Sequence, residues 1–220
     1  MPIPVVYRGV GERGIASYDF FDIASGIGYS TFYAAETASG VYVLTDNLLY
    51  SHRIESNAFH TAATTYGASA ALYLNFDASF NLPRQMRGDI LVNLPLGLRS
   101  AFSSEVYYYF PEVFIWQISG DNQTLLGSTS GAIRQTPSIA SGTYDYDYNA
   151  LKINVDRTKL KKDDKLRVRA AIWTRSNSGN NAEGFIGHDP NNRASGAFDV
   201  NSFGTARSDF KIHVPFVIDL

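Results

Sequence analysis

The sequence predicts an all-β protein: an antiparallel two-sheet sandwich of the jelly-roll kind, preceded by an extended N-terminal arm. Three observations carry this expectation. Short runs of alternating apolar and polar residues recur along the chain, the period-2 signature of strands with one buried face. Gly, Asn, Asp and Ser cluster between those runs, where the backbone has to turn. No sustained 3.6-residue period separates them, which excludes parallel βαβ units.

The arm spans residues 1–28, where Pro2, Pro4, Gly9, Gly11, Gly14, Gly26 and Gly28 interrupt every period. An extended segment cannot bury itself, so its Tyr7, Ile15, Tyr18, Phe20 and Phe21 are candidate assembly contacts. Residues 29–220 form the domain. Tyr29–Ala34 and Gly40–Thr45 read as two strands across a polar turn at Glu36–Ser39. Residues 56–70, rich in Ala, Thr and Ser, are ambiguous and could hold a helical turn. A strand over Ala71–Leu82 and another over Asp89–Leu94 flank a loop at Pro83–Gly88.

The clearest hairpin is Glu112–Ile118 and Thr124–Ser128, joined through Gly120, Asp121 and Asn122, residues suited to a tight turn. Leu151, Ile153 and Val155 alternate next, and a charged turn follows at Lys159–Lys165. In the strand after it, Leu166, Val168, Ala170 and Ile172 face inward, with Arg167 and Arg169 outward. A polar loop over Ser176–Asn192 precedes a final strand, Phe210–Ile218. About nine strands result, and no repeat of solenoid length is visible.

At 220 residues without cysteine, the chain is long enough to bury roughly 70% of its unfolded surface and needs no staples. Thiolate chemistry is excluded. A net charge of −2 argues against nucleic acid as a partner, since neutralising phosphates takes clustered Lys and Arg. No apolar run approaches the ~20 residues of a membrane span, and Met1–Arg8 lacks a leader pattern. A product made in the cytoplasm is expected.

His52, His60, His188 and His213 show no metal-ligand spacing, so no metal or cofactor is expected. There is no Gly-x-Ser-x-Gly elbow, and nothing in the pattern singles out the members of a triad built from distant positions. Tyr144-Asp145-Tyr146-Asp147-Tyr148 puts rings on one strand face and carboxylates on the other. That leaves two readings, a sugar- or partner-binding strip with Tyr146 as contact, or rings packed inward with Asp in solvent. Val106–Phe110 cannot place all its rings in one core, so Tyr107 and Tyr109 are further candidate assembly contacts. In Gly187–Arg193, Asp189 and Asn191 are candidate ligand contacts, for calcium or a glycan. The other reading is an Asp-Pro turn tied down by Arg193.

Lys161–Val168, Gly187–Arg193 and the terminal Ile212–Asp219 resemble the C-terminal half of small jelly-roll virion proteins of tailed viruses. Ile15–Phe20 through Gly26–Tyr33 is similar to their N-terminal portion. These segments cover under half of the chain. The resemblance implies a non-enzymatic virion component, a capsid decoration or turret protein in contact with capsid, neck or tail proteins and forming a homo-oligomer such as a trimer. A carbohydrate- or receptor-binding module of a tail tip is the alternative.

Overall fold

The computed structural model describes residues 27–61, 65–66, 70–100, 106–136, 141–177, 179, 181–193 and 207–217. Of these, 72% are strand and none is helical, so the core is closed by strands alone. Twelve strands follow in chain order: β1 (Ile27–Ala38), β2 (Val41–Thr45), β3 (Glu55–Thr61), β4 (Leu72–Ser79), β5 (Arg84–Ser100), β6 (Tyr107–Ser119), β7 (Asn122–Ser130), β8 (Arg134–Gln135), β9 (Tyr144–Leu160), β10 (Lys165–Ser176), β11 (Asn181–Gly187) and β12 (Lys211–Val217). They form one hydrogen-bonded sheet in the order β3-β11-β5-β12-β1-β2-β4-β10-β6-β7, with β8 on β6 and β9 on β5. Every pairing is antiparallel except the single β2–β4 bridge.

Period-2 alternation builds the core. Tyr107, Tyr109, Val113 and Ile115 of β6 are buried while Tyr108, Phe110, Phe114 and Trp116 between them are only half-buried. In β10, Leu166, Val168, Ala170 and Ile172 are all fully buried, as the alternation predicts. Phe76, Ile90, Val92, Phe210, Ile212 and Val214 join the same cluster. Such side chains stabilise by about 1.5–3 kcal/mol each when fully buried.

Leu94 to Leu98 of β5 is buried on both faces, because Phe185 of β11, packed with Tyr144 and Tyr146 of β9, forms a second apolar cluster. The far end of the sheet meets β9 again. A Cβ on Gly127 of β7 would stand 2.8 Å from a methyl of Ile153. Only a residue without one lets these backbones approach.

Several sequence expectations change. β5 runs straight through the segment read as a loop, because Arg84 and Gln85 already pair with Leu160 and Lys159. The ambiguous segment at 56–70 opens with strand β3, paired residue for residue with β11, and β11 itself lies inside the expected polar loop. Glu36 is not in a turn: β1 continues through it, and period 2 turns it inward after Phe32 and Ala34. The predicted arm contacts Tyr7, Ile15, Tyr18, Phe20 and Phe21 lie outside the described residues, and β1 begins at Ile27.

Candidate functional site

A group of buried polar side chains, Glu36, Ser51, Ser56 and His188, lies where β1, β2, β3 and the end of β11 meet. It starts from the β3–β11 ladder, in which Ile186 faces Ser56 and Gly187 faces Glu55. The His188 N–H extends that ladder by donating to the Ile54 carbonyl at 2.9 Å. This brings the His188 ring beside Ser56, with its Nε2 2.9 Å from Ser56 Oγ. Gly187 lets the end of β11 lie close against its neighbours, since a Cβ there would meet Pro95 Cγ at 3.0 Å and the Ser208 backbone at 3.1 Å.

The hydrogen-bond pattern orders the protons. Ser51 Oγ lies 2.6 Å from the Arg53 carbonyl, to which its one hydrogen goes. Ser51 can therefore only accept from the imidazole Nδ1 at 3.4 Å, a long contact, and from the Glu36 N–H at 3.0 Å. With the ring hydrogen on Nδ1, Nε2 carries a lone pair and accepts from the Ser56 hydroxyl. Tyr42 OH, 2.8 Å from Ser56 Oγ, then donates to that oxygen. A serine hydroxyl aimed at the free nitrogen of a neutral imidazole is the arrangement that activates a nucleophile.

Charge surrounds this pair without touching the ring. Glu36, fully buried, accepts both arms of the Arg53 guanidinium at 2.9 Å and the Gly40 N–H at 2.8 Å. Burial alone would raise its carboxyl, but the Arg53 bonds, the Gly40 N–H and the Arg53 charge together hold it below its usual value. His188 is pushed down to about 4, chiefly by burial, against the opposing pull of the Glu36 and Asp189 carboxylates. The ring is therefore neutral at ordinary pH and can receive a proton, while burial opposes the imidazolium that results.

An open cleft of about 410 Å³ beside the group is lined by His52, Arg53, Ile54, Glu55, Asn57 and Arg193; Ser56 is not among these, since on β3 it turns to the face opposite Glu55 and Asn57. Ser56 itself keeps only 5% of its surface exposed. The Arg53 and Arg193 side chains, 49% and 27% exposed, are the cations at the rim.

Asp189 is fully buried and spent on its own loop. It accepts the Arg193 N–H at 2.7 Å and the guanidinium Nε at 2.9 Å, while Asn191 Nδ2 donates to the Leu49 carbonyl. This is the turn tied down by Arg193, and the carboxylate offers no open coordination site. Tyr146 is engaged too: its hydroxyl accepts the Arg207 N–H at 2.8 Å. Asp145 accepts from Tyr109 OH at 3.1 Å, and burial raises its carboxyl. Rings and carboxylates of that strand are thus both partly covered.

Tyr107 and Tyr109 cannot serve as assembly contacts. Both are fully buried, and the Tyr107 hydroxyl donates to the Asn181 carbonyl at 2.9 Å. The residues of the site itself, Glu36, Tyr42, Ser51, Arg53 and Ser56, were not singled out in the sequence. For Glu36 a signal existed, in the inward parity of Phe32 and Ala34. For Ser56 there was none, because a serine in a Ser/Thr/Ala-rich stretch looks like any other.

No protein-family model and no curated protein sequence matches the chain. Among solved structures, an aminopeptidase from a marine sediment archaeon, Thaumarchaeota archaeon, is similar with a TM-score of 0.53 and 10% identity, over 88% of this chain and 37% of that one. An α-amino acid ester hydrolase is similar with a TM-score of 0.53 and 10% identity, over 85% of this chain and 36% of that one. The chain thus spans little more than a third of the hydrolases it matches, and at this identity the likeness shows the fold. The VP2 protein of infectious bursal disease virus reaches a TM-score of only 0.26, too low to carry an argument.

These findings correct the expected function. The expectation of a non-enzymatic virion protein, with its capsid-decoration and tail-tip variants, rested on a jelly-roll resemblance. The fold is instead shared with chains that are hydrolases, and of the described candidate contacts Tyr107, Tyr109 and Asp189 are fully buried.

Proposed function

We propose that this chain acts in the hydrolysis of an ester or amide bond, with Ser56 as nucleophile and His188 as general base. The observation that carries the reading is the 2.9 Å contact between Ser56 Oγ and the imidazole Nε2, with Ser51 fixing the tautomer that leaves this nitrogen free. The fold shared with an aminopeptidase and an ester hydrolase supports the reaction class. We also infer that the sheet wraps into two facing layers of a jelly roll. The apposition of Gly127 on β7 to Ile153 on β9, outside any ladder, supports this.

In this mechanism Ser56 Oγ bonds to the substrate carbonyl carbon as its proton moves to His188 Nε2. The carbonyl π electrons move to oxygen, forming a tetrahedral intermediate. Collapse of that intermediate breaks the bond to the leaving alcohol or amine, which takes the proton from Nε2. Water, deprotonated by the same nitrogen, then releases the acid and restores the Ser56 hydroxyl. Glu36 acts as a positioning residue, holding Arg53 and placing a negative charge near the ring.

The test is turnover of p-nitrophenyl esters and amino-acid p-nitroanilides by the purified chain. Ser56→Ala and His188→Asn are each expected to lower the rate about 10³-fold or more, with a melting profile confirming that Ser56→Ala is folded. Turnover that survives Ser56→Ala unchanged, or no turnover of either substrate class, overturns the reading.

A further inference from the structure

We propose a second site, for the phosphoryl group of a small molecule, in the cleft at the paired ends of β5 and β9. The cleft holds about 370 Å³ and is lined by Pro83, Arg84, Gln85, Arg157 and Lys159. Three of its five lining residues are cations and none is an acid.

The charges are also unspent. Among the described residues, Arg53, Arg99, Arg134, Arg167, Arg193 and Arg207 each pair with a carboxylate. Arg84, Arg157 and Lys159 form no such pair among the described residues. What holds them is neutral. The Arg84 guanidinium lies over the rings of Phe80 and Phe216, 5.6 and 5.2 Å from their centroids, a contact that fixes a cation without cancelling it. Arg157 donates to the side-chain oxygen of Gln85 at 3.1 Å, so an uncharged amide orients it.

The strand geometry creates the crowding. The β5–β9 register shifts between Met86 and Gly88, where Met86 faces Thr158 but Gly88 faces Val155. The two β9 residues Asp156 and Arg157 therefore stand opposite Arg87 alone. Such bulges re-aim side chains and gather beside functional sites. Bringing like charges together works against stability, in a chain whose overall charge is −2. An anion with more than one charge removes that repulsion. Two guanidinium forks and an ammonium match a tetrahedral phosphoryl group better than a single carboxylate.

The test titrates the whole chain by calorimetry with inorganic phosphate and, separately, with glycerol phosphate, at constant ionic strength set by chloride. Saturable binding is expected, weakened about tenfold or more by Arg157→Gln combined with Lys159→Gln. Arg87→Gln, which removes a nearby cation that does not line the cleft, should change it less than about twofold. Tighter binding of glycerol phosphate than of phosphate identifies a phosphate ester as the ligand, and the reverse order identifies the free ion. No saturable heat with either, or the same loss in Arg87→Gln as in the double variant, overturns the proposal. Hydrolysis dependent on Ser56 should be unaffected by the double variant, which keeps the two sites separable.

Discussion

Two charged corners of one sheet are built on opposite terms. At the β1–β3–β11 corner, Glu36 and Asp189 are fully buried and each is answered by an arginine fork. At the β5–β9 corner, Arg84, Arg157 and Lys159 face a cleft without a carboxylate among its lining residues. In the first, charge is consumed internally to hold a histidine and a serine in one geometry. In the second, charge is left over for something outside the chain. The lesson is that an arginine's role is read from what neutralises it, since a buried unanswered charge is strongly destabilising and an exposed one is not.

Substitutions sharpen this contrast, beginning with the largest effect. Asp189→Ala strips the half-buried Arg193 of its counter-charge and leaves two backbone N–H groups without their acceptor. A loss of about 3 kcal/mol is expected in urea unfolding. A loss below about 1 kcal/mol would mean that the corner is not held by its ion pairs.

Acid should act on the same corner with nearly equal force. The His188 ring takes a proton near 6.5 when unfolded but only near 4 when folded. The unfolded chain therefore binds more protons in that window, and stability falls as pH drops through it. Above about pH 6.5 both states are neutral there and the effect vanishes. The wild type should lose about 3 kcal/mol more than His188→Asn between pH 6.5 and 4, measured by urea midpoints at each pH. Parallel pH profiles for the two proteins would break the assignment of a buried neutral imidazole.

Smaller still is Gly187→Ala, whose added methyl meets Pro95 and the Ser208 backbone. It should cost about 2 kcal/mol and lower turnover by displacing the adjacent His188. At the other corner, Arg157→Gln should leave stability within about 0.5 kcal/mol of the wild type. A large loss there would show that its charge is spent inside the fold after all.

Strand class and much of the core were legible because alternation reports burial directly. Leu166, Val168, Ala170 and Ile172 face inward as their spacing predicts. Strand ends were less legible. Arg84 to Gly88 reads as a loop because charged residues and a glycine hide an outer ladder. β3 and β11 pair with each other across more than 120 residues of chain, and neither carries enough apolar alternation to mark itself. The site fell into that gap: Ser56 and His188 become neighbours only through this pairing. The Asp189–Arg193 turn, by contrast, is local in sequence and was visible in the motif. Tyr107 and Tyr109 misled for a related reason, since a crowd of rings looks like surplus surface until both faces of β6 find cover.

The central claim is that Ser56 is made nucleophilic by His188. Its most direct test is labelling of the native chain with diisopropyl fluorophosphate, followed by peptide mass spectrometry. The account predicts one stoichiometric adduct on Ser56, lost in His188→Asn. An unlabelled Ser56, or an adduct formed equally well without the imidazole, would contradict it.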